Sequence, residues 1–300
     1  MRILLTGVSG QVGGALLPRL QKIGTVIPAD FGTLDFAKPD LLADALNRIA
    51  PELVVNPAAY TAVDKAEGEL DAAMVVNATA PRAIARWAAA RDVPLIHFST
   101  DYVFGGVGER PWREDDEPKP LSAYGATKLA GDHEIQAAGG CHLILRTSWV
   151  YAAQGNNFLC TIARLARERK ELRIVADQIG APTSTAFLAE AVTDIVAGGI
   201  DHLRKRCAEA NGLVHLAASG ETSWHGFACA IIDGLRARGV ALTVEQLVPI
   251  RTDEYPLRAK RPRNSRLDLS RWRKVFGQTP PHWETALAPV LDEFANHWRL

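Results

Sequence analysis

The chain carries no net charge: Lys+Arg 34 stands against Asp+Glu 34 in 300 residues. Nucleic-acid binders normally show a basic excess or stripe, so no nucleic-acid partner is expected. Paired cysteines are missing too. Cys141, Cys160, Cys207 and Cys229 lie far apart and form no CxxC, which argues against a disulfide framework and a zinc site. They read as small buried hydrophobes in a reducing compartment. No apolar run approaches the length of a membrane span, so no membrane partner is expected. The start, "MRILLTGVSGQVGG", passes from Met1 into a short apolar run and then glycines, without a secretory core or cleavage site. A cytoplasmic location follows as an expectation. There is no internal repeat and no low-complexity tract; "REDDEPKP" (113–120) is a charged, proline-bearing loop.

The composition is that of a globular chain, 47% hydrophobic and 23% charged, enough for one large domain or two small ones. Short runs rich in Val, Ile and Leu at 2–6, 25–29, 53–56, 94–99 and 142–147 read as buried strands. Helical patterns at 11–23, 39–49, 70–91 and 123–137 alternate with them. Pro81 should break or bend the third helix near Ala80. This alternation predicts an α/β fold, a doubly wound parallel sheet with helices on both faces. After Tyr151 the alternation weakens, with helices expected at 157–169, 186–197, 223–238 and 283–298 and strands at 172–175 and 214–217. Residues 1–150 are read as a dinucleotide-binding domain to which the chain returns at about 186–218. Residues 151–185 and 219–300 are read as a smaller, interleaved substrate lobe.

"TGVSGQVGG" places Gly7, Gly10 and Gly13 between the first strand and the first helix. Glycines there allow a tight turn and let backbone amides approach a pyrophosphate at the helix N-terminus. Asp30 ends the second strand, where a carboxylate accepts hydrogen bonds from the adenosine ribose. It should repel a 2′-phosphate, so NADH as well as NADPH is expected to be usable.

Ser99 and Thr100 close the fourth strand, at the sheet edge where open parallel sheets bind ligands. Tyr124 and Lys128 follow, four residues apart and therefore on one helix face. A phenol titrates near 10, and bringing it to about 7 takes roughly 4 kcal/mol of preferential phenolate stabilisation. A cation one turn away in a partly desolvated cleft supplies the right sign. A surface pair has the same spacing. Order along the chain, behind a glycine turn and a hydroxyl-bearing strand end, favours a proton donor and its tuner.

Together TGxxGxxG, "NPAAYTAVDKAE", "STDYVFGG", YxxxK and "RTSWVY" resemble the extended short-chain dehydrogenase/reductase superfamily. With "NNF", "DQIGAPTST" and "RPRNSRLD" the chain resembles, more narrowly, the dTDP-4-dehydrorhamnose reductase family, over nearly its whole length. The resemblance implies a Rossmann-type fold and NADPH- or NADH-dependent reduction of a dTDP-4-dehydro-6-deoxy-L-sugar. It implies Tyr124 as general acid, Lys128 on the nicotinamide ribose, and Thr100 on the reacting carbonyl. Gly7, Ser9, Gly10, Gln11 and Val12 would surround the pyrophosphate, Asp35 and Phe36 the adenine. Ala58, Ala59, Tyr60 and Ser99 would line the cofactor channel. Thr61, Val63, Asp101, Tyr102 and Trp149 would contact the sugar and its neighbours, although Trp149 and Val63 also read as core. Arg263 or Arg266, from a basic run that also reads as a solvated face, would suit the diphosphate. Asn157 is a further candidate for that role.

Some members of the family share Mg²⁺ across a dimer through carboxylates. Here the position past the glycine loop is Ala15, and Ser184, Thr185 and Ala186 follow "GAPT", so no metal is expected, and the chain is read as a monomer or a metal-independent homodimer. Two alternatives stand beside the reductase. One is a nucleotide-sugar 4-epimerase or 4,6-dehydratase, although dehydratases add an acidic pair where "STDYVFGG" has only Asp101. The other is a non-catalytic NADP-binding regulatory subunit.

Overall fold

The computed structural model describes residues 1–30 and 32–298. Strands β1 (Arg2–Thr6), β2 (Thr25–Ala29), β3 (Leu53–Asn56), β4 (Leu95–Thr100) and β5 (His142–Thr147) are apolar at alternate and consecutive positions alike, and β3 and β4 are buried at every residue. Strands of this kind need cover on both faces. Helices α1 (Gln11–Leu20), α2 (Leu42–Ile49), α3 (Val63–Ala66), α4 (Leu70–Met74), α5 (Ala80–Ala89) and α6 (Ala123–Ala138) stand between them.

Pro81 has no amide proton to give, and the chain responds with one wide turn, Val75–Thr79, joining α4 to α5 without a break. Ala80 N donates to the Val75 carbonyl there. The Asn77 carbonyl is left on the surface of the turn and packs against Gly131 of α6, where a Cβ would stand 2.1 Å from it.

The second half contains β6 (Val150–Tyr151), α7 (Phe158–Glu168), β7 (Glu171–Val175), β8 (Ile179–Gly180), β9 (Thr183–Ser184), α8 (Thr185–Ala197), α9 (Ile200–Glu209) and β10 (Leu213–His215). It ends with β11 (Thr222–Ser223), α10 (Trp224–Ala237), β12 (Gln246–Ile250), α11 (Ser270–Phe276) and α12 (Trp283–Trp298). Helices α9 and α11 and strand β12 escape the sequence reading. α9 shows why: it buries only Leu203 and Cys207, too few apolar positions to leave a periodic stripe.

The main sheet runs β2–β1–β3–β4–β5–β10, and every neighbouring pair is parallel. Alternate residues serve opposite cores. Ile3, Leu5, Val55, Ile96, Leu143 and Leu145 meet α1, α8 and α9, while Leu4, Val54, Leu95 and Ile144 meet α2, α5 and α6. A third cluster, including Tyr151, Leu159, Leu172, Phe227, Leu291 and Phe294, belongs to α7, β7, α10 and α12. The direction of strand addition reverses between β1 and β3. Such a reversal opens a crevice beyond the carboxyl ends of the strands.

Candidate active site

A cleft of about 680 Å³ occupies that crevice, with Thr6 and Gly7, Pro57 and Ala58, Ser99 and Thr100, and Thr147 on its wall. Gly7 has φ +58°, and a Cβ on it would stand 2.9 Å from the Ala58 Cα. Gly10 N donates to the Gly7 carbonyl at 2.9 Å. A Cβ on Gly13 would approach that same carbonyl to 2.1 Å. The turn therefore depends on the absence of side chains at both ends. No side chain caps the start of α1 and no acidic residue lies in its first turn, so its amides and positive end remain for an anion. These features fit the pyrophosphate of a dinucleotide.

Ser9, Gly10, Gln11 and Val12 line this end of the cleft with Ala58 and Ala59. Asp30 and Phe36 line it further along. Asp30 Oδ1 also closes its own turn, accepting from Gly32 N at 3.0 Å and Thr33 N at 3.3 Å. Gln11 reaches across to the loop before α7: its Oε1 accepts from Asn157 Nδ2 at 2.9 Å and its Nε2 donates to the Asn156 carbonyl at 3.4 Å.

The other end is built from buried polar side chains. Thr100 Oγ1 donates to Asp101 Oδ1 at 3.1 Å and accepts from Tyr102 N at 3.2 Å. Helix α6 begins beside it. Ser122 caps its first turn through Gly125 N, and a Cβ at position 125 would stand 2.2 Å from the Tyr102 carbonyl. That close approach delivers Tyr124 to Tyr102, edge to face with ring centroids 5.7 Å apart. Tyr124 and Lys128, one turn apart, both reach the cleft.

Burial pushes the Tyr124 phenol up to about 12; a hydrogen bond with Thr100 opposes the rise, and Asp101 and Asp132 add to it. Burial brings Lys128 itself down to about 8, against the pull of Asp132. Burial also raises Asp101 to about 7, opposed by the nearby Ser265 hydroxyl and by the Thr100 hydroxyl that donates to it. Thr61, Val63, Tyr102 and Trp149 complete this end of the wall.

Five anticipated residues are not on the wall. Asp35 accepts from Ala37 N at 3.0 Å and pairs with Lys38 at 3.5 Å. Tyr60 turns its hydroxyl to Glu69 at 2.5 Å. Asn157 caps α7, accepting from Cys160 N, and its amide protons go to Gln11 and to the carbonyls of Ala152 and Gln154. Arg263 lies exposed, 3.7 Å from Asp177. Arg266 pairs with Glu221 at 2.9 Å and donates to Asn264 at 2.9 Å. Arg266 is thus held by Glu221, whereas the exposed Arg263 makes only a loose pair.

The wall also contains residues the sequence did not single out. Trp224 stacks on Trp149 at 3.6 Å and 8°, and Gly155 and Asn156 close the side facing Gln11. Trp224 opens α10, and nothing in the sequence around it marks it. Trp149 has φ +48°, and Gly180 makes room for it, since a Cβ there would stand 2.5 Å from the indole. Among the described residues no group of three or more His, Cys, Asp or Glu is placed to hold a metal, and Ala15 packs against the core. No helix among them is long and apolar enough to cross a membrane.

Known proteins share this fold. The model of the RmlD substrate binding domain family matches residues 1–296. The dTDP-4-dehydrorhamnose reductase of Shigella flexneri is 42% identical over 297 residues, covering 98% of each chain. That of Burkholderia thailandensis is 44% identical over 302 residues, covering 99% of this chain and all of its own. The solved structure of the Clostridium acetobutylicum reductase superposes with a TM-score of 0.88 at 36% identity, over 98% of this chain and 99% of the other. The Bacillus anthracis reductase, solved with NADP, gives 0.87 at 33% identity over 97% and 99%. A Thermus thermophilus UDP-glucose 4-epimerase, at 18% identity and a TM-score of 0.78, shares the fold.

Proposed function

The chain belongs to the RmlD substrate binding domain family and, within it, to the dTDP-4-dehydrorhamnose reductases, and from this we propose that it reduces the C4 keto group of dTDP-4-dehydro-L-rhamnose to give dTDP-L-rhamnose. One observation carries the reading at the level of the site: Thr100, Tyr124 and Lys128 meet on one wall of a cleft whose other end is the side-chain-free glycine turn.

NADPH or NADH, when bound, supplies the hydride. The glycine turn and the open start of α1 would hold its pyrophosphate, with Asp30 toward the adenosine ribose. Thr100 would orient the sugar carbonyl by a hydrogen bond. Tyr124, protonated at neutral pH as any phenol is and pushed up to about 12 by burial, would give its proton to the C4 oxygen as charge develops there. Lys128 would hold the nicotinamide ribose and offset the phenolate left behind. Trp149, backed by Trp224, offers an apolar face to the deoxy edge of the sugar. Tyr102 follows Asp101 where a dehydratase would need a second acid, which favours reduction over dehydration.

The wider reading is of a cytoplasmic enzyme of nucleotide-sugar metabolism without a nucleic-acid partner, a monomer or a metal-independent homodimer. Residues 1–150, with the return at about 186–218, form its cofactor domain. Residues 151–185 and 219–300 form its substrate lobe.

The test follows the absorbance of NADPH and NADH with dTDP-4-dehydro-L-rhamnose for wild type and Tyr124→Phe. Rapid oxidation by wild type and a loss of about a hundredfold or more in the variant are expected for a general acid. Oxidation untouched by the substitution would move the proton donor elsewhere, and none by wild type would remove the reductase reading.

A further inference from the structure

Lys128 is buried, and the carboxylate one turn further along its helix, Asp132, is committed to Arg146 at 3.0 Å. The Lys128 amine instead donates to the Phe98 carbonyl at 2.7 Å and meets His97 Nε2 at 3.1 Å. His97 lies wholly buried in β4. Its Nδ1 is 3.0 Å from Asn56 Nδ2, Asn56 Oδ1 accepts from Thr6 Oγ1 at 2.6 Å, and Thr6 Oγ1 accepts from Ala58 N at 3.4 Å. A continuous buried chain thus ties the amine to the strand ends that carry the glycine turn and Ala58.

Proton counting along this chain gives two consistent states. With Asn56 Nδ2 donating to Nδ1, the single ring proton sits on Nε2 and points at Lys128, which accepts as a neutral amine. With an ammonium, Nε2 must accept, the ring proton moves to Nδ1, and the near-isosteric Asn56 amide presents its oxygen there while its Nδ2 donates to Thr6 Oγ1, whose hydroxyl hydrogen turns away. The Phe98 carbonyl is satisfied either way. A carboxylate at position 97 could only accept, and an apolar side chain could do neither.

We propose that His97 is a positioning residue of the reduction, keeping Lys128 hydrogen-bonded in both of its charge states so that the amine can give and regain a proton beside Tyr124 without stranding a buried group. The reductase reading supplies the reaction in question. After Tyr124 has protonated the alkoxide, an N–H bond of Lys128 breaks as the phenol O–H re-forms, and the neutral amine then takes a proton from solvent. The titratable and charged groups around the pair are Tyr124 and Asp132 on α6, Asp101 after β4, and Arg146 on β5, the last held on Asp132. Burial first, and then the Lys128 cation, hold His97 well below the usual imidazole range, so the ring stays neutral while it switches tautomer.

The test is an NMR titration of lysine-labelled protein over roughly pH 6 to 10, with the Lys128 signal assigned by its loss in Lys128→Met. In His97→Leu the Lys128 midpoint should fall by about one pH unit, because of the two hydrogen bonds lost, one per charge state, the one to the ammonium is the stronger. His97→Gln, whose amide can donate or accept, should restore it. Asn56→Asp, which pins the ring proton on Nδ1, should move it upward. The alkaline limb of kcat should follow each shift. A folded His97→Leu with an unmoved midpoint, or a Gln variant shifted as far as Leu, overturns the proposal. If His97→Leu does not fold, an unmoved midpoint in Asn56→Asp overturns it instead. Failure of wild type to reduce the sugar would sink the reductase reading and leave the titration intact.

Discussion

The two ends of the cleft are made of different material. At the proposed cofactor end the groups open to a ligand are backbone amides, and the turn needs Gly7 and Gly13 to have no side chain. At the reaction end Thr100, Asp101 and Lys128 are buried polar side chains, each held by others: Thr100 by Asp101, Lys128 by His97. The first end is therefore limited by space and the second by hydrogen-bond satisfaction. An added methyl group should ruin one, and a lost partner the other.

Gly13→Ala is the severest test of that difference. Its Cβ would stand 2.1 Å from the Gly7 carbonyl, backbone that cannot step aside, whereas a Cβ on Gly14 meets nothing closer than 3.5 Å. Fluorescence titration with NADPH should show affinity lost by about a hundredfold or more in Gly13→Ala, with Gly14→Ala close to wild type. Equal affinities would break the comparison. At the reaction end, Asp132→Ala removes the partner of Arg146, which is itself 3% exposed. Uncompensated buried charge of this kind costs about 3–5 kcal/mol, read as a lower urea midpoint. A change under about 1 kcal/mol would show that Arg146 finds another partner.

The same division explains what the sequence disclosed. Strands β1, β2, β3 and β5 start and stop where the apolar runs do, because Gly, Pro, Asp or Asn bounds those runs. The glycine turn was legible because only glycine meets its demands. That Tyr124, Lys128 and Thr100 share the cleft wall was legible through their order behind it. His97 and Asn56 sit inside apolar strands, and their role exists only once β1, β3 and β4 lie side by side. That Asn157 lies off the wall was hidden for the opposite reason. "GNNF" offers a polar side chain, and nothing local says that α7 and Gln11 have already used it. Arg263 and Arg266 likewise read as free cations until the fold brings Asp177 and Glu221 to them.

A smaller effect separates charge from partner at the reaction end. Asp101 is raised from 3.8 to about 7 by burial, so the fold favours its protonated form. The stability this carboxyl contributes is fully present below its unfolded value near 4 and is lost as the pH rises through about 7. Asp101→Asn keeps the shape without the charge. It should raise the melting temperature at pH 8, by the equivalent of about 2–4 kcal/mol at most, and leave it nearly unchanged at pH 4. A gain of equal size at both pH values would mean that packing, not ionisation, is responsible.

The smallest expected effect lies at the one place where the cofactor end does use a charged side chain. Asp30 is exposed at the cleft wall, with Oδ1 spent on its own turn. Its charge acts through solvent, so repulsion of a 2′-phosphate is screened and modest. Asp30→Ser keeps a hydroxyl to close the turn and removes the charge. The ratio of kcat/KM for NADPH to that for NADH should rise by roughly tenfold, about 1.4 kcal/mol, and the preference should shrink with added salt. An unchanged ratio would mean that the carboxylate belongs to the turn alone, leaving the cofactor end a surface of backbone from one side to the other.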